Sequence, residues 1–302
     1  MAGSGDSGDE VVRHFIDVAT TNSNSSIKSV WLILFTAGTI SALAKLNIVL
    51  IQLGFVQGVQ NPELQSSYPI ASLILFIIYF MTFFRFYVGD IRIFDIRYTE
   101  IFKILNKHLQ VHGTQSHDKK GLLEFLKFQD QNIFKFESLY LVFQTLIIVY
   151  LAYQITSPID FLKVYALLML INALWLTFSN LRFSERTSAL ISDIFPGATK
   201  SHSFQSMFPR KAGWFWATNN FLTAIGIGLC ILFFTGQINV PASIVGSLDP
   251  VIFLEFAVGL TLFNCVIDLH MARDFYFPRF ADLYESQASI PEEPTVAEQP
   301  DG

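Results

Sequence analysis

The sequence predicts an all-α integral membrane protein, a bundle of six membrane-spanning helices with both termini on the cytoplasmic side. Three observations predict it. The 302 residues are 52% hydrophobic and only 15% charged, against roughly 25% charged in a soluble domain. A soluble chain of this length needs a polar skin that this composition does not provide. Six apolar runs each reach the ~20 residues that a helix needs to cross hydrocarbon. Finally, lysine and arginine fall almost entirely on one side of those runs.

The runs lie at about Val30–Phe55, Pro69–Val88, Phe136–Ile155, Phe161–Leu181, Trp214–Gly236 and Val251–Met271. They are too long and too uniformly apolar for the alternating strands of ~10 residues that build membrane barrels. A polar N-terminal tail, residues 1–28, precedes them. It has no apolar core of a cleavable signal, so the first span directs insertion. The membrane domain occupies residues 29–285. An acidic tail, residues 286–302, has the composition of a disordered segment.

Orientation follows from the basic residues. Seventeen lie in the N-terminal tail, the connections after spans two and four, and the C-terminal segment, against Lys163 alone in the three short connections opposite. The basic side is therefore the cytoplasmic one. The net charge of −5 reflects acid concentrated in the tails and says little about the interior.

The connection over residues 90–135 carries Phe94, Tyr98, Ile101, Phe102, Leu105 and Leu109 with charges between them. That spacing is an amphipathic helix on the headgroups or in the cytoplasm. It could bind an anionic lipid or a protein partner. Arg210 and Lys211 beside Trp214 and Trp216 form an interfacial anchor. The bilayer is the expected surround, and a homo-oligomer is compatible with the sequence. Nothing in it points to nucleic acid.

The exits of the even spans resemble one another. Asp90 and Arg92 follow span two, Asn180 and Arg182 follow span four, and Asp268 and His270 follow span six. The recurrence is compatible with three related helical hairpins. It also follows from any span entering a basic face, and the odd spans do not align at the same offsets.

Charged groups in hydrocarbon are costly and normally face protein or water. Lys45 shares a helix face with Gly38, Ser41 and Ala42, a small-residue packing face. Glu255 lies at matching depth in span six, so the sequence predicts a buried Lys45–Glu255 ion pair. Such a pair either fixes helix register or lines a permeation path. A second layer, Arg85, Gln144, Asn172, Asn219, Asn220 and Asn264, falls roughly 6–14 Å from the cytoplasmic boundary at ~1.5 Å per residue. It reads as interhelical hydrogen bonding or as an inner vestibule.

Chemistry beyond this is not indicated. His108, His112 and His117 lack the supporting ligands of a metal site. Cys230 and Cys265 each lie in an apolar run and read as small apolar residues. There is no nucleophile–base set, P-loop or dinucleotide fingerprint. The expectation is a non-enzymatic polytopic protein without metal or cofactor. It would be a channel or transporter for an ion or small solute, or alternatively a scaffold or signalling protein acting through residues 90–135.

Overall fold

The computed structural model describes residues 32, 35–58, 68–87, 135–181, 210–238, 241 and 249–288. These residues form six helices and no strand: α1 (Phe35–Gln52), α2 (Pro69–Arg85), α3 (Lys135–Gln154), α4 (Pro158–Ser179), α5 (Arg210–Phe234) and α6 (Val251–Ala288). Five are long and apolar enough to cross a membrane. The sixth, α2, is apolar but has only 17 residues and spans ~26 Å at the helical rise. The chain is a polytopic membrane protein by this measure. The expected amphipathic connection and both expected terminal tails lie outside the described residues, except at their edges.

One edge differs from expectation. α6 does not stop near Met271 but runs to Ala288, so residues 286–288 are helical rather than part of a tail. Tyr276, Phe280 and Leu283 keep helical spacing beyond the apolar run, and that periodicity carries the helix on.

The helix ends explain the up-and-down path. α1 and α5 finish in glycines of positive φ, Gly54 at 77° and Gly236 at 70°. At each, paired backbone bonds close the helix: Gly54 to Ile51 with Phe55 to Leu50, and Gly236 to Phe233 with Gln237 to Leu232. This is the glycine cap that satisfies the last carbonyls. The following helices start on proline, whose missing N–H costs nothing there. Pro69 opens α2, Pro158 opens α4, and Pro250 precedes α6, where the Asp249 carboxylate accepts the Val251 N–H at 2.9 Å. Only two residues separate Ser157 from the end of α3, and the Ser157 N–H bonds to Gln154 at 2.8 Å.

Side-chain contacts show that neighbouring helices run antiparallel. Phe35, at the start of α1, lies 4.5 Å from Phe83 near the end of α2. Tyr140, early in α3, stacks on Trp175, late in α4, at 4.6 Å. Asn219, early in α5, meets Asn264, late in the apolar part of α6. The starts of the odd helices and the exits of the even ones thus share one end of the bundle. α4 packs along α3 and α5, while α6 packs on α5 and α2. α1 lies outside, its Gly38 facing Tyr79 of α2 and Val149 of α3. Gly38, Ala42 and Val49 are the buried positions of α1, in line with the small-residue packing face.

A glycine also makes room where α5 packs against the end of α4. A Cβ at Gly213 would stand 2.5 Å from both polar atoms of the Asn180 side chain. Gly228, in the same helix, faces open space. Gly213→Leu should therefore cost about 1–3 kcal/mol through overpacking. Gly228→Leu should change stability by no more than about 0.5 kcal/mol. Unfolding of the two variants in the same detergent measures the contrast.

Candidate functional site: a polar seam inside the bundle

Four helices, α2, α4, α5 and α6, meet around a buried seam at the end of the bundle where the even helices exit. Its centre is Asn264, which is fully buried. A carboxamide carries two acceptor sites and two donor hydrogens, and Asn264 uses both kinds. Its Oδ1 accepts from Asn219 Nδ2 at 2.6 Å and from Thr223 Oγ1 at 3.1 Å. Its Nδ2 donates to the Tyr165 hydroxyl at 3.0 Å and lies 3.2 Å from Met169 Sδ. One side chain therefore ties α6 to both α5 and α4.

The seam continues through Cys265. Its thiol hydrogen-bonds with the Tyr165 hydroxyl at 3.2 Å and with the Thr82 hydroxyl at 3.4 Å, which brings in α2. One turn further along α6, Asp268 Oδ2 stands 3.8 Å from Arg85 Nη1, with both side chains 6% exposed. The Arg85 guanidinium also lies over the Trp216 ring of α5, 5.8 Å from its centroid, within cation–π range. Asn264, Cys265 and Asp268 share one helix face because residues three and four apart do.

A charge pair placed here is expensive. Desolvation of two ions is repaid only by close geometry and further hydrogen bonds. Placed in the apolar part of α2 and α6, it needs a reason beyond stability. A parallel but smaller contact joins α3 to α4, where the Tyr140 hydroxyl donates to Asn172 Oδ1 at 2.6 Å.

The six residues expected as an inner polar layer are placed as follows. Arg85, Asn219 and Asn264 meet in the seam, and Asn172 bonds to Tyr140 on the other side of α4. Gln144 and Asn220 are buried; neither polar atom of Asn220 has a hydrogen-bond partner among the described residues. Lys45 and Glu255 are not brought together. The Lys45 ammonium lies 5.0 Å from the Tyr153 ring centroid, and Glu255 is exposed on α6. The physical reason is lateral: α1 packs on α2 and α3, which leaves Lys45 and Glu255 on different flanks of the bundle.

The exit residues also divide. Asp268 is an interior residue, paired with Arg85. Asn180 packs against Gly213, and His270 is exposed. Asp90, Arg92 and Arg182 lie outside the described residues. The sequence reading missed Thr82, Tyr165 and Thr223, and it took Trp216 for an interfacial anchor and Cys265 for a small apolar residue, whereas both are buried in the seam. A usable signal was present: Arg85 lies 16 residues after Pro69 and Asp268 18 after Pro250, so helices starting level carry both charges to the same depth.

No family model matches this sequence, and neither the curated proteins nor the solved structures contain a match. The seam therefore has to be read from its own chemistry.

Removing one partner of the charge pair should be far worse than removing both. Arg85→Met alone is expected to cost about 3–5 kcal/mol, and adding Asp268→Leu should recover a substantial part of that. The Asn219–Asn264 bond should show a coupling of about 0.6 kcal/mol and no more than about 1.7. Double-mutant cycles on unfolding in detergent or bicelles read both quantities.

Proposed function

We propose that the protein passes an ion or a small polar solute across the membrane along the seam between α2, α4, α5 and α6, and that the arrangement described above is its closed state. The observation that supports this reading is the buried Arg85–Asp268 pair, continuous with the hydrogen bonds of Asn264. Ionisable groups within a membrane-spanning bundle are pathway residues by default, because their cost is otherwise unrewarded.

In this reading Asn264, Tyr165, Asn219 and Thr223 are the exchangeable contacts. Each already makes hydrogen bonds of the kind that would replace the hydration of a solute. Arg85 and Asp268 form the constriction at the exit end. Separating α6 from α2 there would expose one cation and one anion to the entering species, which then takes the place of the lost partner. The cation–π contact to Trp216 holds Arg85 against α5 during that step. Both termini are proposed to face the cytoplasm, as the basic residues predict, which puts the constriction at the cytoplasmic side.

Purified protein in liposomes should support flux of at least one small ion or polar solute. Asn264→Leu and Asp268→Asn should each reduce that flux about tenfold or more, the scale of ~1.4 kcal/mol or more on a barrier. Liposomes that stay tight across a panel of ions and solutes would overturn the reading. Residues 90–135 would then be the segment to test for binding to anionic lipid or protein.

A further inference from the structure

The exposed faces of the helices are not alike. On α2 they are Ile70, Ile77, Phe80, Phe84 and Tyr87. On α3 they are Phe136, Leu139, Val142, Phe143, Leu146, Tyr150 and Tyr153. Every one is apolar or aromatic, as lipid requires. α4 exposes Lys163, already paired with Asp160 at 3.1 Å, and α1 and α6 break the pattern with polar groups that have no such partner among the described residues. The outward stripe of α1 reads Thr36, Ala37, Ile40, Leu43, Ala44 and Asn47, and that of α6 reads Ile252, Glu255, Phe256, Gly259, Leu262, Phe263 and Val266. Glu255 and Asn47 have no polar partner among the described residues, and a Cβ at Gly259 would meet nothing within 4 Å.

The two polar positions stand at the same height in the bundle. Thr82 of α2 is beside Cys265 of α6, and those helices run parallel. Ser72 and Glu255, each ten residues earlier, are therefore level. Phe83 of α2 is beside Phe35 of the antiparallel α1. Ser72 lies eleven residues before Phe83, so it is level with Leu46, eleven after Phe35. Lys45 and Asn47 flank that position. Glu255 thus sits at the height of one cation and one carboxamide that its own chain holds on another flank.

We infer that the protein assembles with a second copy of itself, the outward face of α1 from one copy packing on the outward face of α6 from the next, with Glu255 meeting Asn47 and Lys45. The exposed Asn47, with the half-buried Lys45 beside it at the edge of the same face, complements the exposed Glu255, so an identical chain supplies what each face lacks. Shape agrees with charge. In the antiparallel register set by the height match, Gly259 falls level with Ala42, one residue from the outward Leu43, and the bulky Phe263 with Gly38, one residue from the outward Ala37. Small residues let helices approach closely in a membrane, and polar side chains then bond across them. Two different faces meet, so the contact is head-to-tail and closes a ring if the rotation permits. The inference does not depend on the transport reading.

Full-length protein in phosphatidylcholine nanodiscs is the material for the test. Mass photometry should find oligomers, and Glu255→Leu should reduce their fraction at least tenfold while leaving helicity unchanged. Mixing separately tagged Leu43→Cys and Gly259→Cys copies, which keep Glu255, Lys45 and Asn47, should give an oxidised cross-link between the two tags. Lys45→Glu should weaken assembly, and Glu255→Lys in the same chain should restore it. A monomeric parent protein, an oligomer indifferent to Glu255→Leu, or the absence of the mixed cross-link would each overturn the proposal. Assembly only when a primary-amine lipid is added would also overturn it, since a headgroup would then be the partner of Glu255.

Discussion

The pairing of Arg85 with Asp268 is the contact on which the rest of the bundle turns. In hydrocarbon a buried ion has no water to fall back on, so each charge dictates where the other must be. That fixes the exit of α2 against the exit of α6, although more than 180 residues separate them in sequence. Once α6 is set, Asn264 and Cys265 are aimed from the same helix face at α5, α4 and α2. Asn264 takes partners from Asn219, Thr223 and Tyr165, and Cys265 from Tyr165 and Thr82. Apolar packing around Tyr165, Leu168 and Ile227 fills the space between, but apolar contacts do not choose a register among lipid-like alternatives. The hydrogen bonds and the charge pair do.

The architecture was legible because membrane insertion imposes strong patterns. Apolar runs of sufficient length read directly as helices, and five of the six described helices are long and apolar enough to span. The small residues Gly38 and Ala42 announced the packing side of α1 correctly. Helix ends were less legible. The glycine at position 54 closes α1 through a left-handed backbone that no hydropathy pattern encodes, and the aromatic periodicity beyond Met271 carried α6 further than its apolar run.

The site was half legible. Depth along a helix follows from counting residues, and Arg85, Asn219 and Asn264, grouped by depth, lie in the seam. Direction around the bundle does not follow from counting, and there the expected pairing failed. Lys45 and Glu255 do share a height, yet they sit on different flanks. Asp268 looked like an exit residue because it ends the apolar run, whereas its neighbour across the bundle makes it an interior one. Cys265 reads as a small apolar residue in sequence, and only the approach of Tyr165 and Thr82 gives it a polar role. Lateral arrangement comes from tertiary packing, which a single sequence records only through pairs such as Arg85 and Asp268.

The two charges that the seam holds, Arg85 and Asp268, are open to direct measurement. Infrared difference spectroscopy in bilayers can read the Asp268 carboxyl directly, assigned by subtracting the spectrum of Asp268→Asn. The Arg85–Asp268 pair should give the absorption of an ionised carboxylate at neutral pH, replaced by that of a protonated acid in Arg85→Met, where the guanidinium is gone. A protonated acid already present in the parent protein, or a carboxylate band indifferent to Arg85→Met, would contradict it.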